Sequence, residues 1–393
     1  MSDSYTETTT TGLGSRLMGS IKGIFFGLIL FIVSFGLLYY NEGRQVRAQG
    51  LIGMARQSME INATTPDQTA QGKIVTAQGI LTSGEMLSDK IEMAGASSTI
   101  VNAELNPQKY LKLSRKPEIF VWKEKVESKT KKNLGGSETE EKTYTYHQEW
   151  SEEGIHSSDF KIPEGHQNPE NQIPHVDQIV SQAMLGTLTI NPTKFEFPPE
   201  QKLMLTKNSF TSSTSEVITN ANNNQYIFLG TGSLGSPRIG DIRVSYTYLP
   251  SDLNIVAFGK LDGANLSPYV NAKNGTLYRG FTGTKEEALA TMASENSMTT
   301  WLLRLLGFVL MWIGLSMLLG PISTFLDIIP AFGSVSRGLI GFVTFIVAFA
   351  LSILTIIISM LLHNVIALVI AAIVGILIAV FVIKKGFKKT KMA

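Results

Sequence analysis

A glycine-rich hexapeptide is the first candidate for chemistry in this sequence. Residues 230–235 read Gly-Thr-Gly-Ser-Leu-Gly and match the G-x-G-x-x-G pattern of dinucleotide-binding loops. Such a loop works by placing a pyrophosphate on the N-terminus of the helix that follows it. Here residues 236–240 follow, and Pro237 and Gly240 prevent a helix from opening there. We therefore interpret the hexapeptide as a loop between strands, and we predict no cofactor.

The histidines are the second candidate, because imidazole can bind metals or transfer protons. Four of them are nine or ten residues apart: His147, His156, His166 and His175. Zinc ligands on a helix are three or four residues apart, so only folding could bring these together. Cysteine is absent, which excludes thiol nucleophiles, disulfides and cysteine metal sites. No G-x-S-x-G elbow is present to activate a serine. We predict no catalytic residue and no metal site.

A run of lysines beside aromatic residues is the third candidate, since nucleic-acid-binding surfaces share this composition. The net charge of the chain is only +2, however, which gives no reason to expect nucleic acid as a partner. Acidic residues crowd the segment that follows, so a solvated hairpin with paired charges is the preferred interpretation. The lysines are Lys123, Lys125, Lys129, Lys131 and Lys132.

The elements that must position these residues are dominated by an apolar block near the C-terminus. Between Trp301 and Ile383 the only charged side chains are those of Arg304, Asp327 and Arg337. A membrane-spanning helix needs about 20 apolar residues, and each span must be a helix because hydrocarbon offers no partner to the backbone. Three stretches meet this length: Trp301–Leu319, Leu339–Leu362 and Val365–Ile383.

A fourth apolar run, Gly23–Tyr40, lies near the N-terminus and ends in two tyrosines, which favour the membrane interface. A cleaved signal peptide is the alternative interpretation. Its apolar region is normally shorter, and no small-x-small cleavage pattern follows this run. We therefore predict a first transmembrane helix.

The orientation follows from the lysines and arginines near the ends of the spans. Five lysines between Lys384 and Lys391 predict a cytoplasmic C-terminus, and four spans put the N-terminus on the same side. The arginines Arg44, Arg47 and Arg56 after the first span oppose this orientation, but the C-terminal cluster is larger. The residues between the first two spans are then extracytoplasmic.

The segment between the first two spans shows the two-residue alternation of β-strands. Strands are predicted at Lys73–Leu81, Gln225–Leu229, Asp241–Leu249 and Asn254–Leu261, and a short helix at Asp177–Met184. Thr284 and Glu287 form a capping box that starts a helix leading towards Trp301. The sequence thus predicts an α+β membrane protein with four transmembrane helices and a large extracytoplasmic, mainly β domain between the first and second spans.

The predicted boundaries follow from these patterns. They are a flexible cytoplasmic tail at 1–22, a transmembrane helix at 23–40, a β-rich domain at 41–298 that could divide into lobes at 41–160 and 161–298, transmembrane helices at 301–319, 339–362 and 365–383, and a basic cytoplasmic tail at 384–393.

The longest predicted hairpin runs from Ile119–Lys132 to Thr139–Trp150. If Gly135-Gly136-Ser137 forms a three-residue loop, Trp122 lies opposite Trp150 and Lys123 opposite Glu149. This register also pairs Lys131 with Glu141 and Lys132 with Glu140. A two-residue turn would set Trp122 against Glu149, so we reject it.

Polar residues at the two domain–membrane junctions form a predicted membrane-proximal collar. Asn41, Glu42 and Arg44 leave the first span at the interface where the second span is entered, so polar contacts could fix the domain on its spans. The alternative is ordinary anchoring by Trp and Arg at the interface. Arg304 lies within a turn of this interface and could reach water by snorkelling. The second-span members of the collar are Asn296, Ser297 and Trp301.

The chain resembles the LUMA family at several stretches that occur in the same order. They are Asn41-Glu42-Gly43-Arg44, Tyr144-Thr145-Tyr146 with Glu149-Trp150, Ser158-Asp159-Phe160, Gly165-His166-Gln167-Asn168-Pro169, Gly240-Asp241-Ile242-Arg243-Val244, and Asn296-Ser297-Met298 with Thr300-Trp301. The resemblance runs from the first span to the last. It implies four spans with cytoplasmic or nucleoplasmic termini, and no catalytic residues can be carried over.

The resemblance also implies a non-enzymatic scaffold that organises membrane protein complexes, with a suggested tie to lipid handling. The expected partners are membrane lipids, other membrane proteins and further copies of the chain in a homo-oligomer. The expected location is the endoplasmic reticulum or inner nuclear membrane in a eukaryote, or an inner membrane with a periplasmic domain in a bacterium. The alternatives are a transport accessory or transporter subunit, and a membrane-bound hydrolase acting on lipid or envelope substrates.

Overall fold

The computed structural model describes residues 4–66, 68–94, 100–169, 173–213, 216–219, 225–271, 275–327 and 330–363. The predicted transmembrane helix at 365–383 and the basic tail at 384–393 lie outside these residues. The described helices are α1 (Leu13–Gln57), α2 (Lys285–Leu318), α3 (Gly320–Leu326) and α4 (Pro330–His363).

A β-rich domain fills the chain between α1 and α2. Its strands, with one that precedes α1, are β1 (Ser4–Thr11), β2 (Met59–Asn62), β3 (Ile74–Thr82), β4 (Leu87–Ala94), β5 (Ile100–Gln108), β6 (Tyr110–Lys132), β7 (Glu138–Ser151), β8 (Val176–Ile179), β9 (Ala183–Leu185), β10 (Leu188–Ile190), β11 (Gln201–Lys202), β12 (Phe210–Ser213), β13 (Glu216–Thr219), β14 (Gln225–Leu229), β15 (Ile242–Pro250), β16 (Leu253–Asp262), β17 (Asn265–Ser267), β18 (Tyr269–Asn271), β19 (Gly275–Leu277) and β20 (Arg279–Phe281). The four strands predicted by alternation are confirmed.

The strands form two large sheets and two small ones. The first large sheet has the order β1-β7-β6-β15-β14-β13, with β8 beside β6 and β11 beside β15. The second has the order β2-β3-β9-β10-β17-β16-β20, with β3 also paired to β16. A three-stranded sheet, β12-β5-β4, packs its Ile91 and Leu105 against Val244 and Tyr246 of the first large sheet. The remaining two strands, β18 and β19, form a separate ribbon.

The second large sheet is buried on both faces, which attaches the domain to its helices. In β16, Ile255 and Ala257 belong to a core whose residues come mainly from the strands of this sheet itself. Their neighbours Val256 and Phe258 point the other way, because successive side chains of a strand alternate between faces. That second face packs against Ala55 near the end of α1 and against Ala288 and Leu289 in the first turns of α2. The helices are therefore part of the domain core.

Each of these two helices continues from the domain into an apolar segment. α2 begins at the predicted capping box, in which the Thr284 hydroxyl accepts from the Glu287 N–H and the Glu287 carboxylate accepts from the Thr284 N–H. It then runs without a break to Leu318. α1, α2 and the 338–363 part of α4 are each long and apolar enough to cross a membrane. Three of the four predicted spans are thus observed as helices.

The predicted division into lobes at 41–160 and 161–298 is wrong. β3 pairs with β16, and β6 pairs with β15, so each large sheet takes strands from both halves of the chain. The predicted helix at Asp177–Met184 is also wrong. Its residues form β8 and β9, which pair with β6 and with β3 and β10. Pairing with strands distant in sequence outweighed the local helical pattern there.

The predicted hairpin exists as β6 and β7, but its predicted register is wrong by two residues. Trp150 pairs with Phe120, and Trp122 pairs with Gln148. The cause is a longer turn, in which the Asn133 N–H donates to the Ser137 carbonyl over 2.9 Å. A shift of two residues keeps the same side chains on each face, so Lys123 still reaches Glu149 diagonally, at 2.6 Å.

Part of the predicted flexible tail at 1–22 is ordered as a strand in the structure. Residues 4–11 form β1, which pairs antiparallel with β7 from Ser4 opposite Thr145 to Thr11 opposite Glu138. The alternation of threonine with Tyr5 and Glu7 suits a strand, and Glu7 pairs with Lys161 at 2.8 Å. Residues from Leu13 onwards already belong to α1.

Within the apolar segments, glycines let α1 and α2 approach closely. A Cβ atom added at Gly27 would lie 2.8 Å from the Met317 Cβ and 2.9 Å from the Gly314 carbonyl oxygen. Close approach through small residues is the usual way in which membrane helices pack, since lipid supplies no hydrophobic driving force between them.

We expect Gly27→Ala to destabilise the detergent-solubilised full chain by about 1–3 kcal/mol, because the new methyl group overpacks the α1–α2 contact. Gly36→Ala is the matched control, since a Cβ atom there meets nothing within 4 Å; we expect a change within about 0.5 kcal/mol. Thermal unfolding of the two variants measures the difference. Equal effects would contradict the close packing.

Candidate functional site at the membrane-proximal collar

The collar lies where α1 and α2 leave the domain and enter their apolar segments. In α1 the apolar residues end at Tyr40, and in α2 they begin at Trp301. Polar side chains from residues 41–45 and 296–304 therefore face each other at one depth. Tyr39, Tyr40 and Trp301 are exposed there, as is usual at a membrane interface.

An ion pair between Glu42 and Arg304 forms the centre of the collar. The Arg304 Nε and Nη2 atoms each donate to one carboxylate oxygen of Glu42 over 2.8 Å. The Glu42 side chain is 0% exposed and the Arg304 side chain 15% exposed. The arginine also lies over the Trp301 ring, 5.0 Å from its centroid. This two-pronged geometry is the strongest that an arginine and a carboxylate can form.

Neutral hydrogen bonds extend the collar towards the domain. The Asn41 side-chain amide donates to the Thr300 carbonyl over 3.1 Å. Arg44 donates to the Thr300 hydroxyl over 2.7 Å and to the Asn296 carbonyl over 3.4 Å. Each hydrogen-bond partner of Arg44 is uncharged, and the nearby Glu295 carboxylate is paired with Arg279.

The end of α4 joins the collar on its third side. The His363 ring lies 4.5 Å from that of Tyr39, measured between centroids. It also packs against Gly43, where an added Cβ atom would lie 2.6 Å from the His363 Nε2 atom. The Ser359 hydroxyl donates to the Tyr39 carbonyl over 3.2 Å. Three helices thus meet at the collar.

The structure brings together four of the six predicted collar residues. Asn41, Glu42, Arg44 and Asn296 make contacts between α1 and α2. Trp301 contacts Arg304 on its own helix, and Ser297 is exposed beside them. The predicted snorkelling of Arg304 is wrong, because the side chain is paired with Glu42. Sequence reasoning treated these two charges separately, although Glu42 is the first carboxylate after one span and Arg304 the first charge of another.

A cavity of about 340 Å³ opens beside the ion pair, between α1 and α2. Among the described residues that line it none is acidic, and two are arginines. Its polar lining comprises Gln45, Gln49, Arg56, Asn296, Ser297, Thr300 and Arg304. Such a lining can donate hydrogen bonds to an anion.

The glycine-rich loop at 230–235 is confirmed as a loop between β14 and β15. Its backbone N–H groups are occupied by the chain itself. The buried Asp241 carboxylate accepts from the N–H groups of Thr231, Gly232 and Arg238 over 2.7–3.1 Å. The loop therefore folds around an internal carboxylate.

The histidines are dispersed over the domain. His166 is buried and stacks on the Tyr146 ring with 3.9 Å between centroids. Tyr146 donates to Glu124 over 2.8 Å. Burial, and then the Glu124 carboxylate, raise the pKa of Tyr146 to about 12, so the phenol stays protonated at neutral pH. Its oxygen holds the following loop by accepting from the Ile162 N–H over 2.9 Å. In the part of the chain that the structure describes, no three metal-binding side chains gather.

The stretches that carry the family resemblance converge on two places. Asn41–Arg44 and Asn296–Trp301 form the collar. The others meet at the base of the β6–β7 hairpin. There the Asn168 side chain accepts from the Trp122 N–H and donates to the Trp122 carbonyl, and the Gly240 N–H donates to the Phe120 carbonyl. Pro169 packs against Gly240 at that place.

Membrane-length helices and a β-rich domain inserted between the first and second of them define an α+β integral membrane protein. The chain belongs to the Transmembrane protein 43 family, whose model matches residues 119–365. This is the family, also called LUMA, that the sequence motifs indicated.

The relatives match between about three quarters and nine tenths of the chain. Transmembrane protein 43 of Rattus norvegicus is 28% identical over 374 residues, which cover 89% of this chain and 87% of the relative. The Homo sapiens protein of that name is 28% identical over 365 residues, covering 88% and 85%. A Drosophila melanogaster homolog is 24% identical over 302 residues, covering 74% and 75%. None of these three carries the name of an enzyme. No solved structure matches the chain.

We expect Glu42→Gln to destabilise the full chain by about 3–5 kcal/mol, because it leaves the Arg304 guanidinium buried without its counter-charge. The double variant Glu42→Gln/Arg304→Met should lose less than the sum of the two single changes. The exposed Lys123–Glu149 pair is the control, and Lys123→Gln should change the free energy of unfolding far less, because water screens the pair. Additive losses at Glu42 and Arg304 would show that the pair is not coupled.

Proposed function

We propose that this protein is a non-enzymatic membrane scaffold, which self-associates and organises membrane protein complexes. The continuity of α1 and α2 carries the proposal, because each helix is part of the domain core at one end and of the apolar bundle at the other. A domain joined to its spans in this way holds a fixed orientation to the membrane surface. A fixed orientation suits a protein that positions other proteins.

The collar supports the scaffold role in a second way. Its ion pair and hydrogen bonds connect residues 252–320 positions apart in the chain, such as Arg44 with Asn296, Glu42 with Arg304 and Tyr39 with Ser359. Contacts between such distant residues resist tilting of one helix against another. The glycine loop around Asp241 and the protonated Tyr146 likewise serve the fold.

We also propose that both termini are cytoplasmic and that the β domain lies on the other side of the membrane, in the endoplasmic reticulum lumen or perinuclear space of a eukaryote or in the periplasm of a bacterium. With a bilayer around residues 23–40, β1 would lie on the cytoplasmic side of the membrane and β7 on the opposite side. In the structure, which contains no bilayer, the two strands pair with each other. The arms of the β6–β7 hairpin carry exposed charges such as Lys125 and Glu127, which hydrocarbon does not accommodate. In this topology membrane insertion separates the two strands.

This topology predicts how a paired-cysteine variant behaves, since the chain has no cysteine of its own. Thr6 and Thr143 are opposite each other in the register of β1 and β7. We expect the Thr6→Cys/Thr143→Cys variant to form no disulfide in intact membranes under mild oxidation. The single variants Ser137→Cys and Thr390→Cys serve as controls: an impermeant thiol reagent should label the first and spare the second. A disulfide in intact membranes, or the reverse labelling, would contradict the topology.

Self-association tests the scaffold role directly. We expect amine crosslinking of the full chain, in lipid nanodiscs that can hold several copies, to give dimers or larger species at low protein-to-lipid ratio. The same protein in liposomes should raise ion flux no further than an equal mass of an unrelated membrane protein. A monomer that conducts ions would overturn the scaffold and support the transport alternative. Hydrolysis of lipid by the purified protein would support the hydrolase alternative instead.

A further inference from the structure

The membrane-proximal part of α1 carries an excess of positive charge that the scaffold role does not use. Residues 41–57 contain three arginines, Arg44, Arg47 and Arg56, and Glu42 is their only acidic residue. Glu42 is already paired with Arg304. Arginines on the side of a span opposite to the cytoplasm run against the usual charge distribution of membrane proteins. Their presence at this level therefore calls for a negatively charged partner.

The described contacts of these arginines do not supply that negatively charged partner. Arg44 has uncharged partners, and its buried Nε atom has no hydrogen-bond acceptor among the described residues. Arg47 is exposed and lies over the Tyr40 ring, 5.9 Å from its centroid. Arg56 lines the cavity beside the collar, and no ion pair or hydrogen bond joins its side chain to the described part of the chain.

The cavity has the lining of a phosphate site. Arg56 contributes a guanidinium group that matches phosphate oxygens in charge and in fork geometry. Arg304, whose Nε and Nη2 atoms donate to Glu42, contributes only its remaining N–H groups. Gln45, Asn296 and Ser297 add uncharged side chains that can donate hydrogen bonds. The Glu42 carboxylate is fully buried under Arg304, so it does not face the cavity.

The position of the cavity favours a lipid over a free phosphate ion. It extends along α1 from Gln45 to Arg56, about 16 Å at the rise of a helix, starting where the apolar segment ends. Its lower edge is formed by Trp301, an interfacial residue that is 65% exposed. Below Trp301 the exposed Leu302 and Leu305 continue as an apolar surface on which acyl chains could lie. A headgroup in the cavity would keep its tails in the bilayer.

We propose that the cavity between α1 and α2 binds the phosphate headgroup of an anionic glycerophospholipid from the leaflet that faces the β domain. The proposal goes beyond the proposed function, which concerns protein complexes. It rests on the membrane placement of α1 and α2 and is independent of self-association. Arg56 supplies the charge at the upper end of the site, and Arg304 and Asn296 supply the donors at its lower end.

The test compares lipid retention by the full chain, purified in mild detergent and measured by native mass spectrometry. The probes are phosphatidylglycerol, phosphatidylcholine and soluble glycerol 1-phosphate. We expect phosphatidylglycerol to be retained at concentrations about tenfold lower than phosphatidylcholine, because only the former keeps a net charge for the arginines. A large excess of glycerol 1-phosphate should not displace it.

Two variants with the same change of charge locate the site. We expect Arg56→Gln to weaken phosphatidylglycerol retention about tenfold, the loss of one charge-assisted contact. Arg47→Gln, on the same helix but outside the cavity, should change retention less than twofold. Equal losses in the two variants would mean attraction to surface charge alone and would overturn the proposal. So would equal retention of the two phospholipids, or displacement by glycerol 1-phosphate. None of these results depends on the crosslinking of copies, so failure here leaves the scaffold role standing.

Discussion

The buried ion pair of Glu42 and Arg304 is the contact on which the arrangement of domain and membrane helices depends. A carboxylate that is fully buried at a membrane interface is tolerated only if a cation meets it with good geometry. Here the guanidinium donates twice, and its other face lies over Trp301. Because α1 and α2 are each continuous through this level, the pair fixes their relative rotation and height. The ends of α1 and α2 in the domain core and their apolar segments are therefore held in a fixed arrangement as well.

The polar contacts that organise the molecule are concentrated in two places. One is the collar, and the other is the hairpin base around Tyr146, His166 and Asn168. At the hairpin base the polar groups serve the backbone: Asn168 holds an edge of β6, and Asp241 closes the glycine-rich loop. At the collar the same chemistry joins helices, and it leaves a cationic cavity beside them. The two levels explain why the family motifs are short and far apart in sequence, since each contributes one side of a contact.

Patterns with a local cause could be predicted from the sequence. Alternation found β14, β15 and β16, and the Thr284–Glu287 box found the start of α2. The predicted ends of the first two spans also placed Asn41, Glu42 and Arg44 at the same depth as Asn296 and Trp301. The predictions that failed concerned segments whose structure depends on pairing with distant parts of the chain. The segment 177–184 became strands because β6, β3 and β10 were there to pair with it, and the pairing of β3 with β16 removed the lobe boundary.

The residues of the collar could be predicted from the sequence, but the ion pair between Glu42 and Arg304 could not. Sequence alone placed Arg304 near an interface, where snorkelling into water is the default for a solitary arginine. Close packing of α1 and α2, at Gly27 and Gly314 and nearer the collar where Gly307 meets Leu38, brings α2 close enough for that arginine to meet Glu42. The hairpin register failed for a comparable reason. The turn from Asn133 to Ser137 closes through its own hydrogen bond, which the pairing of charges along the arms cannot reveal.

The central claim is that α1 and α2 run unbroken and rigid from the domain through the collar into the membrane. Hydrogen–deuterium exchange of the full chain in lipid nanodiscs measures this directly, since amide protons of a stable helix exchange slowly. The account predicts slow exchange in residues 41–57 and 285–300, as in the apolar segments, and faster exchange at the collar of Glu42→Gln. Fast exchange of residues 41–57 in the unaltered protein would contradict it, because the domain would then hang from its spans on a flexible connection.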